Sequence, residues 1–143
     1  MHPPRAVGID LGTTNSAVAF VGDNGLTQMV PNDEGESLTP SVVLFGKQEV
    51  VVGRQARSAG QADPDQVAQW VKRDMGAAVY SHPILGRFLP PEVIQACILR
   101  KLRAEIVARL GQQARVVITV PAYFDEVRRK GTADAGEMAG LNV

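Results

Sequence analysis

Val7-Gly8-Ile9-Asp10-Leu11-Gly12-Thr13-Thr14-Asn15-Ser16 is the stretch on which the reading of this chain turns. Val7, Ile9 and Leu11 alternate with Gly8, Asp10 and Gly12, which is the two-residue period of a strand with one apolar face. Gly12-Thr13-Thr14-Asn15 then reads as a tight turn, and Ser16 to Val21 as a second strand. Small residues let an anionic group approach the backbone, and successive amides in such a turn can form an anion-binding nest. Asp10 stands at the strand end, where a carboxylate could hold Mg²⁺ through water, as magnesium usually keeps part of its hydration shell. The same pattern also describes an ordinary hairpin whose Thr and Asn side chains satisfy the turn. It is not a Walker A loop, since no Gly-Lys-Ser/Thr follows, nor a dinucleotide fingerprint, since no helix follows the turn.

Working outward, Asn24-Gly25 signals a second hairpin of type I′, leading into a third antiparallel strand over Leu26 to Val30. Pro31 to Pro40 is polar and reads as a loop. Ser41 to Phe45 and Glu49 to Val52 form another hairpin pattern, and Gly53 to Gly60 has room for a short helix. Asp63, Pro64 and Gln66 are good helix-start residues, and Val67, Trp70, Val71 and Met75 share one helical face. The expectation is a helix from Asp63 to Gly76 with Lys72 on its flank. Ala77 to Leu89 is irregular. Ile94, Ile98, Leu102, Ile106 and Leu110 mark a long helix from Pro91, with Cys97 beside the stripe as a core residue. Arg115 to Val120 is an apolar, β-branched run ended by Pro121, as expected of a buried strand added in parallel to the first sheet. Asp125 caps a last helix to about Ala139. Gly131 and Gly136 within it cost about 1 kcal/mol each against Ala, so close packing is the expected reason for them.

The chain has 143 residues, and its 15 Lys+Arg balance 15 Asp+Glu. That length fits one domain with its own core. A neutral chain lacks the cationic excess with which proteins grip nucleic acid, so no nucleic-acid partner is expected. A single cysteine, Cys97, cannot form an internal disulfide, which favours a reducing compartment. The N-terminus has no apolar signal region, and no run approaches the roughly 18 apolar residues of a membrane span. The expected setting is cytoplasmic, without a membrane.

Ile9-Asp10-Leu11-Gly12-Thr13-Thr14-Asn15-Ser16 resembles the first phosphate motif of the actin/hexokinase/heat-shock ATPase superfamily, and within it the DnaK-type heat-shock chaperones of the seventy-kilodalton class. Three further segments carry the same resemblance: Pro31-Asn32…Gly35…Leu38-Thr39-Pro40-Ser41, Val71-Lys72-Arg73-Asp74-Met75-Gly76, and Val117-Ile118-Thr119-Val120-Pro121-Ala122-Tyr123-Phe124 with the Ala139-Gly140-Leu141 ending. The resemblance implies an α/β, ribonuclease-H-like half-lobe with a small peripheral α+β subdomain. Residues 1–38 would open the core lobe, 39–113 form the peripheral subdomain, and 114–143 continue the lobe.

It further implies an ATPase that gates a peptide-binding chaperone, with ATP/ADP and Mg²⁺ as cofactors. Asp10 would join the magnesium–water shell, and Gly12, Thr13, Thr14 and Asn15 would hold phosphates. Lys72 would meet the γ-phosphate and position the attacking water; Pro121 and Arg129 would be switch elements. Read without the resemblance, Lys72 is a solvated lysine, Pro121 a strand terminator and Arg129 a surface charge. Client peptides, a J-domain co-chaperone and a nucleotide exchange factor would be partners of the whole protein.

Several features depart from the family pattern. The stretch between Gly76 and Pro90 is short, resembling divergent bacterial homologues. Arg128 and Lys130 stand where common members carry glutamines, and Asp125 replaces an asparagine. The family continues beyond Val143 with a catalytic glutamate and a second lobe, so the expectation is an N-terminal fragment, inactive alone, that self-associates through an unpaired sheet edge. The alternatives are a sugar- or acid-kinase relative using the same hairpin, or a non-catalytic interaction module.

Overall fold

A computed structural model of the chain describes residues 5–111 and 114–143. Residues 1–4 and 112–113 lie outside these, and so does the expected boundary at 113/114. Strand β1 (Ala6–Leu11) pairs antiparallel with β2 (Asn15–Val21), and β2 pairs with β3 (Thr27–Met29). A two-residue strand, β4 (Thr39–Pro40), pairs with Asn15 and Ser16 at the other end of β2, within the stretch expected to be loop. Strand β8 (Arg115–Thr119) runs parallel to β1, with Val7 opposite Val116 and Asp10 opposite Thr119. The mixed sheet therefore has the order β3-β2-β1-β8, as the β-branched run at 115–120 leads one to expect.

The hairpin at Asn24-Gly25 forms, but not as a type I′ turn. Only Gly25 takes positive φ (78°); the Gly25 amide donates to the Gly22 carbonyl, and Gly22 donates to Leu26. The Asn24 side chain accepts from the Leu26 amide at 3.0 Å, so it stabilises the loop without entering the left-handed region itself.

A second sheet places β5 (Val42–Phe45) between β6 (Val50–Val52) and β7 (Val67–Gln69), and helix α1 (Arg54–Ala59) packs Ala56 against Val42 and Val67. Here the sequence expectation fails. Instead of one helix from Asp63 to Gly76 there are two single 3₁₀ turns, Pro64–Gln66 and Val71–Asp74, on either side of β7. Asp63 makes no side-chain cap. The physical reason is competition for the free edge of β5: Val67, Ala68 and Gln69 pair with Leu44, Val43 and Val42. The other edge of β7 is met by Tyr80, whose hydroxyl accepts from the Gln69 amide at 3.1 Å and donates to the Gln69 carbonyl at 2.9 Å. Trp70, expected in the core, is instead half exposed with φ of 56°, ending the strand and starting the next turn.

Helix α2 (Pro91–Leu110) and helix α3 (Glu126–Met138) pack on each other and on one face of the larger sheet. Ile94, Ile98, Leu102 and Ile106 join Val7, Ile9, Leu11, Val18 and Val116 in one core that also reaches Val43 and Ala68 of the smaller sheet. Cys97 packs, partly buried, against this core. Close packing accounts for Gly131 and Gly136: a Cβ at the first would press on Glu92 and Met75, and at the second on Val143 and Ile118. The opposite face, carrying Gly8, Asp10, Val117 and Thr119, is exposed. The outer edge of β8 is partly covered, because the Val116 amide donates to the Asn142 carbonyl at 2.8 Å. Among the described residues, no helix is long and apolar enough to cross a membrane.

Candidate functional site

The β1–β2 turn is held tight by its own backbone. A Cβ on Gly12 would collide with the carbonyl oxygen of Asn15, so no larger residue fits without opening the turn. Gly8 differs: a Cβ there would meet nothing closer than 3.8 Å. The turn is also buttressed from the smaller sheet. The Ser41 amide donates to the Thr14 carbonyl at 2.9 Å, and the buried hydroxyls of Ser16 and Ser41 lie 2.8 Å apart. Asn32 in turn fastens the preceding loop, donating to Thr39 and accepting from the amides of Glu34 and Glu36. Thr14 is thereby left exposed and Thr13 half exposed, with Gly12 between them and the strand.

Asp10 projects on the open face at the carboxyl end of β1, in register with Ala17 and Thr119. Ligands of parallel sheets bind beyond the carboxyl ends of the strands, and β1 and β8 end together here. Lys72 comes to the same end from the smaller unit, lining a narrow cleft with Leu11, Thr119, Val120, Phe124 and Gln95. It sits on the 3₁₀ turn Val71–Asp74 and not on a helix flank. Among the described residues neither Asp10 nor Lys72 is ion-paired. Asp10 and the Gly12 turn thus lie at the end of β1, and Lys72 lines a cleft with the neighbouring Leu11 and with Thr119, the residue in register with Asp10. That donor set suits a phosphate chain with a hydrated divalent cation.

Phe124 links Pro121 and Arg129. Its amide donates to the Pro121 carbonyl at 3.0 Å, and its carbonyl accepts from Arg129 Nε at 3.4 Å. Asp125 caps α3 by accepting from the Arg128 amide at 3.0 Å. Reading the sequence missed two contributors. Gln95 is buried on α2 with its side chain at the Lys72 cleft; its position beside Ile94 in a helical stripe gave no sign of this. Ser41 was visible only as the first residue of a hairpin strand and the last of a family motif, neither of which shows that its hydroxyl meets Ser16.

A sequence pattern for the family described as Hsp70 protein matches residues 6–90 and 77–143. The chain is also similar to the chaperone protein DnaK of Thermotoga neapolitana, with 42% identity over 139 residues. That match takes in 96% of this chain and 23% of the relative, so the chain spans about a quarter of that protein's length. On both comparisons, this chain belongs to the Hsp70 family.

Proposed function

We propose that this chain is the N-terminal part of the ATP-hydrolysing domain of a DnaK-like chaperone, supplying the first phosphate hairpin and the lysine that acts on the γ-phosphate. The observation that carries the reading is that Lys72, on the Val71–Asp74 turn, lines a cleft with Leu11 and Thr119 at the ends of β1 and β8, the strand ends next to Asp10 and Gly12. In this reading the fold is ribonuclease-H-like, residues 39–113 are its peripheral subdomain, and its setting is the cytoplasm. Client peptides, a J-domain co-chaperone and an exchange factor engage the whole protein.

The chain's own residues divide the work by chemistry. Gly12, lacking a Cβ, lets a phosphate approach the backbone amides of the turn, and the Thr13 and Thr14 hydroxyls and the Asn15 amide donate to its oxygens. The Lys72 ammonium faces the outermost phosphoryl group, orients the attacking water and offsets the negative charge that shifts toward the leaving oxygen. Asp10 accepts hydrogen bonds from metal-bound water. Mg²⁺, when bound, neutralises phosphate charge and fixes the geometry of the chain of phosphates. Pro121 and Arg129, joined through Phe124, are the elements that would register a change in the pocket.

By itself the chain is expected to bind nucleotide weakly, since nothing in it is assigned to adenine, and to pair with a second copy along the part of the β8 edge beyond Val116. The competing assignment, a sugar or acid kinase, predicts a different phosphoryl acceptor. In the full-length polypeptide, the test is the fate of the γ-phosphate of ATP in the presence of hexoses and small carboxylic acids. Release as inorganic phosphate, stimulated by an extended peptide, supports the chaperone ATPase. Transfer to a sugar or an acid contradicts it.

A further inference from the structure

We propose that Arg128 is a positioning residue for Lys72, fixing the turn that carries the lysine onto the first turn of α3; the inference rests on the role given to Lys72 above. The Val71–Asp74 turn is anchored on one side by the buried Val71 and packs against α2, while its own backbone is a single 3₁₀ turn. It is bounded by two residues of positive φ, Trp70 at 56° and Gly76 at 93°. Its closing bond, from the Met75 amide to the Lys72 carbonyl, is long at 3.3 Å. A lysine on so short a turn depends on the residues that flank it for its position, and catalytic positioning tolerates displacements of well under an ångström.

Arg128 ties down the end of the turn next to the lysine. Its Nε donates to the Met75 carbonyl at 3.0 Å, while Nη1 of the same guanidinium pairs with Asp125 Oδ2 at 3.0 Å. Asp125 is itself held, because its other oxygen caps the helix through the Arg128 amide. The planar fork of arginine allows both contacts at once, which a single ammonium could not make with the same geometry. Gly76 completes the arrangement: a Cβ there would stand 3.1 Å from Arg128 Cγ, so the absence of a side chain is what lets the arginine lie across the turn. The chain from Asp125 through Arg128 to Met75 thus ties the lysine's turn to the helix that also bears Arg129.

The test is a double-mutant cycle in the full-length polypeptide, read by single-turnover ATP hydrolysis and by equilibrium ATP binding. Arg128→Ala is expected to slow the hydrolytic step about tenfold while leaving affinity within about twofold, as for an oriented group displaced by a fraction of an ångström. In a Lys72→Ala background, Arg128→Ala should cost nothing further, because its effect passes through the lysine. Additive losses, an unchanged rate, or a fall in affinity that matches the fall in rate would each overturn the proposal. If Lys72→Ala cripples hydrolysis but Arg128→Ala does not, the positioning role fails alone. If Lys72→Ala is itself without effect, the parent reading fails and the inference falls with it.

Discussion

The hydroxyls of Ser16 and Ser41 meet 2.8 Å apart in the interior, joining β2 to the residue that links β4 of the larger sheet to β5 of the smaller. Both residues are almost wholly buried, so removing one hydroxyl leaves the other without a partner. Ser16→Ala or Ser41→Ala is expected to cost about 1–3 kcal/mol, the penalty of an unsatisfied buried polar group. The double variant should cost less than the sum of the two. Urea unfolding of the four proteins measures the coupling, and strict additivity would show that the contact does not link the two sheets.

Gly12 and Gly8 share a strand face but not a role. Gly12→Ala forces a collision with the Asn15 carbonyl, and opening the turn is expected to cost about 1–3 kcal/mol in stability. It should also weaken ATP binding, since the amides that face the phosphate move. Gly8→Ala meets only ordinary contact at 3.8 Å and serves as the control, with near-native stability. Comparable losses for both would mean that the turn is not the constraint.

Which parts were legible beforehand follows from how local their causes are. The β1–β2 hairpin, α2, β8 and α3 were readable because alternation, a four-residue apolar step, a β-branched run and the Asp125 cap all act within one element. The region 63–76 was misread for the opposite reason. Asp63-Pro64 and the spacing of Val67, Val71 and Met75 favour a helix locally, but the open edge of β5 and the Tyr80 hydroxyl lie far off in sequence and outweigh that preference. Of the site, Asp10 and the Gly12 turn could be proposed from residue chemistry alone. Lys72 could not: only its motif marked it, and only the packing of the two sheets brings it to the strand end. Gln95 had no signal and Arg128 only its departure from the family's glutamine, because what gives each its place is a partner in another element.

The correction at 67–69 can itself be tested through Tyr80. Its hydroxyl both accepts from and donates to the Gln69 backbone, and burial raises the phenol's pKa above its ordinary value, so it stays protonated as a donor at neutral pH. Tyr80→Phe leaves a backbone amide and carbonyl unpaired and is expected to cost about 1–3 kcal/mol. Amide exchange at Gln69 should accelerate more than exchange in α2. Undisturbed protection at Gln69 would contradict the strand assignment.

Lys101 gives the fold a pH signature. It bridges Asp33 at 2.6 Å and Glu105 at 3.1 Å, tying the loop before β4 to α2. Burial works against the ammonium, but the hydrogen bond to Asp33 and the ion pair with Glu105 outweigh it and raise the lysine pKa above 10.5. Its stabilisation is therefore present below that value and lost as pH rises through the higher folded one. The hydrogen bond from Lys101 lowers the Asp33 pKa, so that contribution is present above 3.8 and lost as pH falls through the folded value. Burial raises the Glu105 pKa, an opposing effect that costs stability once the carboxyl ionises. Lys101→Met should thus destabilise by about 1–3 kcal/mol at pH 7, with a smaller loss near pH 4 where Glu105 takes up a proton. Thermal unfolding across pH 4–11 tests this, and a loss independent of pH would rule out the charge account.

Under the proposed function, Lys72, carried on the Val71–Asp74 turn, acts on the phosphate held at the end of β1. The most direct test of that role is single-turnover hydrolysis of Mg-ATP by Lys72→Ala in the full-length polypeptide, with nucleotide affinity measured on the same preparation. ATP is expected still to bind within a few-fold of the unmodified protein, and hydrolysis to fall by about two orders of magnitude or more, as when a preorganised charge is removed from a developing anion. Hydrolysis at the unmodified rate, with ATP bound, would contradict it.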